Sequence, residues 1–154
     1  MREWLDGEAE RRERLDLVES RLGEARDKLD IYLKMRLGIE RLEIQRDRVL
    51  KSVKSWQPVR EKAALLLANS QLEDAREKMT AHCCEVEATL LEVLGLDADH
   101  PATRALLAQY YSHLFEAQDN AELRRLFASL VELYDDSGKH DAVVDSLAEG
   151  EVES

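Results

Sequence analysis

The chain has 154 residues, of which 36% are charged and 5% aromatic, with only 6 Gly and 2 Pro. That length builds one ordinary domain, or an elongated element with a small domain, and the Ala-, Leu-, Glu- and Arg-rich mix is that of long amphipathic helices rather than of a disordered chain. The 22 Lys/Arg against 33 Asp/Glu leave a formal charge of −11, split as 16 against 14 over residues 1–62 and 6 against 19 over residues 63–154, so general nucleic-acid binding is excluded and the acidic half reads as a solvated face or a surface for a basic protein.

In chain order, residues 3 to about 54 read as helix. Leu15, Leu22 and Leu29 recur at seven, with Val18, Ala25 and Tyr32 between them. Ile39, Leu42, Val49, Val53 and Trp56 form a second stripe out of register with the first, because continuing the first set would put Arg36 and Glu43 in the seam. The buried face is therefore expected to rotate near residues 34–38, with Gly23 and Gly38 as the sites of a kink or break.

Pro58 suits the first turn of a helix, where its missing amide has no partner, and its ring pushes Gln57 out of helical geometry. With Ser55 as cap and Glu61 in the first turn, the chain reverses at residues 55–58 and a second helix runs to about Leu94. Leu65, Leu72, Met79, Val86 and Val93 give it an unbroken heptad, flanked by Cys83 and Leu90. Two helices with apolar seams and a short connection pack antiparallel. Trp56 is expected to close the end of that seam, and Trp4 to pack on the second helix or touch a neighbouring domain.

Gly95 is expected to end the second helix, Asp99 or His100 to cap the next, and Pro101 to take its first turn. Leu106, Leu107, Tyr110, Tyr111 and Leu114 give the third helix an apolar face. After a loop at residues 116–120, a fourth helix from Ala121 to Tyr134 is expected to bury Leu123, Leu126, Phe127, Leu130 and Val131. "DDSGKH" stops it, "DAVVDSL" forms a short element, and the acidic "AEGEVES" frays. The fold class is all-α: a long coiled-coil-like hairpin over 3–95, a helix pair over 96–136, and a short element with a frayed tail over 137–154.

Chemistry-bearing residues are sparse. "HCCE" at residues 82–85 gathers potential ligands, but consecutive helical residues radiate apart, whereas a tetrahedral site needs convergence from spaced pairs. Cys83 reads as seam packing with Cys84 beside it, and adjacent cysteines offer no disulfide framework, which favours a reducing, cytoplasmic setting. The longest apolar run, Ala63 to Ala68, is too short to span a membrane, and the charged start does not resemble a signal peptide. No glycine-rich phosphate loop is present and no histidine has a serine or cysteine nucleophile with a third orienting group nearby in sequence, so no cofactor, metal or catalytic residue is expected and an enzyme is the class least suited.

"LGLDADHPATRALLAQYYSHLFEAQDNAELRRLFASLVELYD" resembles the end of one tetratricopeptide repeat, its Asp-x-x-x-Pro turn, and a full two-helix repeat. Leu107, Ala108 and Tyr111 take the first-helix Leu, small and Tyr positions. Leu123, Phe127 and Leu130 take those of the second helix if the loop is about three residues longer, and Arg104 stands where the motif has Trp. Over nearly the whole chain, the order of "WLDGEAERRERLDLVESRL", a long charged helix, "WQPVREKAALLLANSQLEDA" and "LGLDADHPATRALLAQYY" is similar to the helical region that follows the kinase domain in bacterial eukaryotic-like serine/threonine kinases. That resemblance rests on Trp4, Trp56, Pro58, Lys62 and the turn from Leu96 to Pro101. It implies a non-catalytic segment of a larger chain, since no His-Arg-Asp or Asp-Phe-Gly motif is present. On it, the expected role is a linker or interaction module that spaces or docks the catalytic domain and binds protein partners, the parent kinase domain or clients. Trp4, Trp56, Pro58, Tyr110, Tyr111 and Phe127 are then the structural or interaction candidates. The competing expectation is a free-standing coiled coil that self-associates, as a homodimer, through the stripe at residues 39–53.

Overall fold

The computed structural model describes residues 2–54, 56 and 59–152. The expected cap Ser55, Gln57 and the helix-opening Pro58 lie outside them, as does the side chain of Glu61. The protein is all-α: α1 (Arg2–Ser52), α2 (Val59–Leu96), α3 (Pro101–Ala117), α4 (Ala121–Tyr134) and α5 (Asp141–Val152), with no strand among the described residues. It divides into two compact units, Met1–Arg26 with Thr89–Ser154, and Asp27–Ala88. The division cuts across both long helices, grouping the start of α1 and the end of α2 with α3–α5.

α1 is continuous through Gly23 and Gly38, so neither glycine breaks it. The cost of each, about 1 kcal/mol, is spread over a helix with buried positions on both sides of it. Val18, Ala25, Tyr32 and Ile39 keep a seven-residue spacing, and all are buried. The companion row shifts, from Leu22 and Leu29, four residues after Val18 and Ala25, to half-buried Met35, Leu42 and Val49, three after Tyr32, Ile39 and Arg46. The face thus turns at Met35 without leaving register, and Arg36 and Glu43 sit half-buried beside the seam. Leu15, expected inside, is 49% exposed.

Within the 27–88 unit the two helices run antiparallel. His82 Nε2 donates to the Lys28 carbonyl at 2.7 Å, and Arg76 donates to Glu43 at 3.0 Å, so rising numbers on α1 meet falling numbers on α2. Leu29, Tyr32 and Ile39 from α1 and Ala68, Leu72 and Val86 from α2 fill the seam. Trp56, by contrast, does not close its end. It is 76% exposed, with the Lys54 ammonium 5.9 Å from its ring centre.

In the other unit, Arg21 bonds Glu24 and lies 3.5 Å from Glu92 on α2, beside buried Val18, Leu22, Leu90 and Val93. α2 runs through Gly95 to Leu96, two residues past the expected last residue, Leu94. α3 begins where His100 is extended and its ring Nδ1 accepts from both the amide and the hydroxyl of fully buried Thr103. A three-residue link then leads to α4, capped by Asn120, whose Oδ1 accepts from the Leu123 amide at 3.1 Å.

α3 and α4 pair antiparallel and clamp each other reciprocally. Arg104, in the first turns of α3, donates to the Leu133 carbonyl (2.8 Å) and the Asp136 carboxylate (2.7 Å) at the far end of α4. Arg124, four residues after its own cap as Arg104 is after His100, donates to the Phe115 and Gln118 carbonyls at the end of α3 and lies over the Phe115 ring at 4.1 Å. Each arginine therefore bonds carbonyls at the end of the partner helix, although the Phe115 carbonyl also accepts from the Gln118 amide. Between the clamps, Leu107, Ala108, Tyr110, Ala128 and Val131 are buried. The turn after α4 is set by Asp135, whose carboxylate accepts from the Lys139 and His140 amides, and by Gly138 at φ +70°. α5 packs on α4 through buried Val143 and continues to Val152, beyond the "DAVVDSL" that was expected to end it. Ala148 and Glu149 are good helix formers, and Gly150 alone does not outweigh them.

Candidate functional site

The residues singled out in the sequence fall into three places. Tyr110, Tyr111 and Phe127 are brought together. The Tyr111 ring centre lies 5.2 Å from that of Tyr110, 6.5 Å from Phe127 and 6.1 Å from Tyr134, the last two nearly parallel. Tyr110 and Tyr111 are buried, so this cluster is the glue of the α3–α4 pair rather than a surface for a ligand. Trp4 and Trp56 are exposed, Trp4 at the start of α1 and Trp56 in the turn between α1 and α2. Pro58 lies outside the described residues.

α4 corrects one expectation in a way that bears on function. Leu123, Leu126 and Leu133 are exposed, at 41%, 51% and 57%, and Leu130 between them is half-buried. At spacings of three and four they form one stripe along the helix. The face that α3 covers is instead set by Arg124, Phe127, Ala128, Val131 and Tyr134, and α5 approaches on the side of Arg125 and Ser129. α4 thus carries two apolar faces and buries one. The signal was present in the sequence, where apolar residues at 123, 126, 130 and 133 interleave with a second set at 127, 128, 131 and 134, more than one neighbour can cover.

The 27–88 unit has a smaller apolar feature, a groove of about 220 Å³ between Met35, Gly38, Ile39 and Leu42 of α1 and Ala75 and Lys78 of α2. A Cβ on Gly38 would meet no atom within 4 Å, so the missing side chain helps to open this groove. Leu37 and Ile44, seven residues apart, and Leu66 and Leu67 on α2 are exposed in the same unit.

Cys83 is half-buried, Cys84 is exposed, and they are not disulfide-bonded. His82 is occupied by the Lys28 carbonyl, with its Nδ1 3.8 Å from Glu85. Among the described residues, no group of three His, Cys, Asp or Glu side chains converges as a metal site, and no helix is long and apolar enough to cross a membrane. The perturbed ionisable groups belong to structural ion pairs. The hydrogen bond from Arg104, aided by its charge and opposed by desolvation, holds the Asp136 carboxyl below the usual carboxylate range, and the same bond holds the Arg104 guanidinium above its ordinary value. A scan against protein-family models and searches of curated proteins and solved structures return no match to this chain.

Proposed function

We propose that this chain is a non-catalytic helical module that binds protein partners, and that it serves as the linker of a bacterial serine/threonine kinase, spacing or docking the catalytic domain. The observation that carries the interaction reading is the exposed stripe of Leu123, Leu126 and Leu133, with half-buried Leu130 between them, on a helix already anchored by its other apolar face. A rigid helix that presents a row of leucines is a groove-filling or helix-pairing surface. The kinase assignment rests on the landmark order Trp4, Trp56, Pro58, Lys62 and Leu96 to Pro101.

The test has two steps. The native reading frame around residues 2–154 is sequenced, and any kinase catalytic domain found upstream is titrated with this chain by calorimetry. Binding is expected, and Leu126→Asp with Leu133→Asp should weaken it at least about tenfold, the loss of one well-packed apolar anchor. A flanking frame without a kinase core, or a catalytic domain that ignores the chain, ends the linker reading.

Self-association has its own observation, the exposed row of Leu37 and Ile44 on α1, with Leu66 and Leu67 exposed farther along the same unit on α2. Ile39, expected in such a seam, is buried within its own chain, so a dimer would have to use this outer row. Sedimentation equilibrium at rising concentration decides it: a species that stays monomeric removes this reading.

A further inference from the structure

The Met1–Arg26 and Thr89–Ser154 unit is strongly acidic, with 10 Lys/Arg against 22 Asp/Glu, yet one of its grooves gathers cations. The groove holds about 560 Å³. Arg26 of α1, Gln109 and His113 of α3, and Lys139 and His140 from the turn before α5 supply its polar lining, and Ala105 and Leu106 its apolar floor. No carboxylate among the described residues lines it.

The two fixed charges here are uncommitted, as are exposed Arg11, Arg12, Arg14 and Arg125 of the same unit, and they differ from the arginines that serve as clamps or bridges. Arg21, Arg76, Arg104 and Arg124 are held by carboxylates, carbonyls or a ring. Among the described residues, neither the Arg26 guanidinium nor the Lys139 ammonium has a hydrogen-bond or ion-pair partner. Two uncommitted cations that share one groove, in a unit whose acids outnumber its bases more than twofold, make it a local positive spot on an acidic body. They match a ligand that brings the negative charge with it.

Independently of the kinase reading, we propose that this groove binds a phosphate monoester on a short apolar stem. A dianion balances the two fixed charges, and its three oxygens accept from the guanidinium, the ammonium, the Gln109 amide and the His140 imidazole N–H, while the His113 Nδ1 lies 4.0 Å from Glu116. A carboxylate offers one charge and two oxygens. The Ala105 and Leu106 floor takes the first carbons of the stem. A polyanion is disfavoured, because the surrounding unit repels the rest of its phosphates.

The test uses the full chain labelled with ¹⁵N. Amide shifts are followed during titration with phenyl phosphate, benzoate, inorganic phosphate and a phosphotyrosine hexapeptide. Phenyl phosphate is expected to move the amides of Gln109, His113, Lys139 and His140 before any others. Arg26→Ala and Lys139→Ala, both at exposed positions that leave the fold intact, should each weaken it about tenfold, one charge-assisted hydrogen bond's worth. Arg125→Ala, outside the groove, should leave affinity unchanged. Benzoate should bind at least about tenfold more weakly than phenyl phosphate, and inorganic phosphate should lose the contribution of the stem. Tighter binding of the peptide identifies a chain-borne phosphate, and tighter binding of phenyl phosphate a free ester. Shifts spread equally over Arg124 and Arg125, benzoate binding as well as phenyl phosphate, or Arg26→Ala and Lys139→Ala binding like the parent would overturn the proposal.

Discussion

At the scale of single residues, burial separates leucines that look alike in the sequence. Leu107 is fully buried and Leu126 is 51% exposed, although they occupy similar apolar positions in consecutive helices. Leu107→Ala should cost about 2–5 kcal/mol, the lost transfer energy plus a cavity, whereas Leu126→Ala should stay within about 0.5 kcal/mol. Urea denaturation of both variants checks this, and equal costs would mean that the α4 stripe is covered in solution. Arg104 allows a pH test. Asp136 has its folded-state pKa depressed, first by the hydrogen bond from Arg104, so the pair's contribution is fully present above the ordinary carboxylate range. It fades as pH falls through that range and below the depressed value. The stability gap between the parent and Arg104→Gln should therefore be widest near neutrality and shrink in acid. Part of it should survive there, because the bond from Arg104 to the Leu133 carbonyl does not titrate. A gap that stays constant with pH would show that Asp136 contributes nothing beyond the carbonyl contact.

At the scale of elements, the long helices were legible because each seam is written in its own strand of sequence. The heptads Val18–Ala25–Tyr32 and Leu72–Val86–Val93 name residues that are buried, through spacing alone. The His100 cap was readable as one of two candidates with Asp99, since a polar residue that opens an apolar run has a local job, whereas the Asn120 cap lay unread in the loop at residues 116–120. What else escaped was whatever depends on a neighbour. Both α4 stripes are periodic, and only the position of α3 decides that Ala128 and Val131 lie inside while Leu123 and Leu126 lie outside. Trp56 failed for the same reason, because an aromatic at a turn closes a seam only where the seam reaches it. Nor did the glycines punctuate α1. The space beside each is open, with no atom within 4 Å of a built Cβ at Gly23 or Gly38. Gly23→Ala and Gly38→Ala should each therefore stabilise the helix by roughly 0.5–1 kcal/mol, and the gains should add because the sites are far apart along the chain. Thermal denaturation of the two single variants and the double variant measures this. A loss at Gly38 alone would mean that its apolar groove is filled by something a methyl displaces.

At the scale of the whole molecule, charge distinguishes the two units more sharply than composition does. The Met1–Arg26 and Thr89–Ser154 unit carries 10 Lys/Arg against 22 Asp/Glu, whereas Asp27–Ala88 carries 12 against 11. The first is therefore a compact body of like charge and the second is close to balanced. Self-repulsion destabilises a compact acidic body and is relieved by screening, as the Debye length falls from about 30 Å at 0.01 M salt to about 8 Å at 0.15 M. The balanced unit has little repulsion to relieve, and its exposed cross-helix pair, Arg76 with Glu43, weakens slightly with the same screening. Amide hydrogen exchange, followed between these two salt concentrations, should show protection in α3, α4 and α5 rising with salt while that in residues 27–88 stays level or falls. The clamps from Arg104 and Arg124 oppose the trend, but each also bonds a backbone carbonyl, which salt barely affects, so repulsion among the 22 carboxylates should win. If protection rose equally in both units, they would open as one cooperative body joined through α1 and α2, and the charge imbalance would act on the entire chain. If it fell in α3–α5, the exposed ion pairs of that unit would outweigh its net charge.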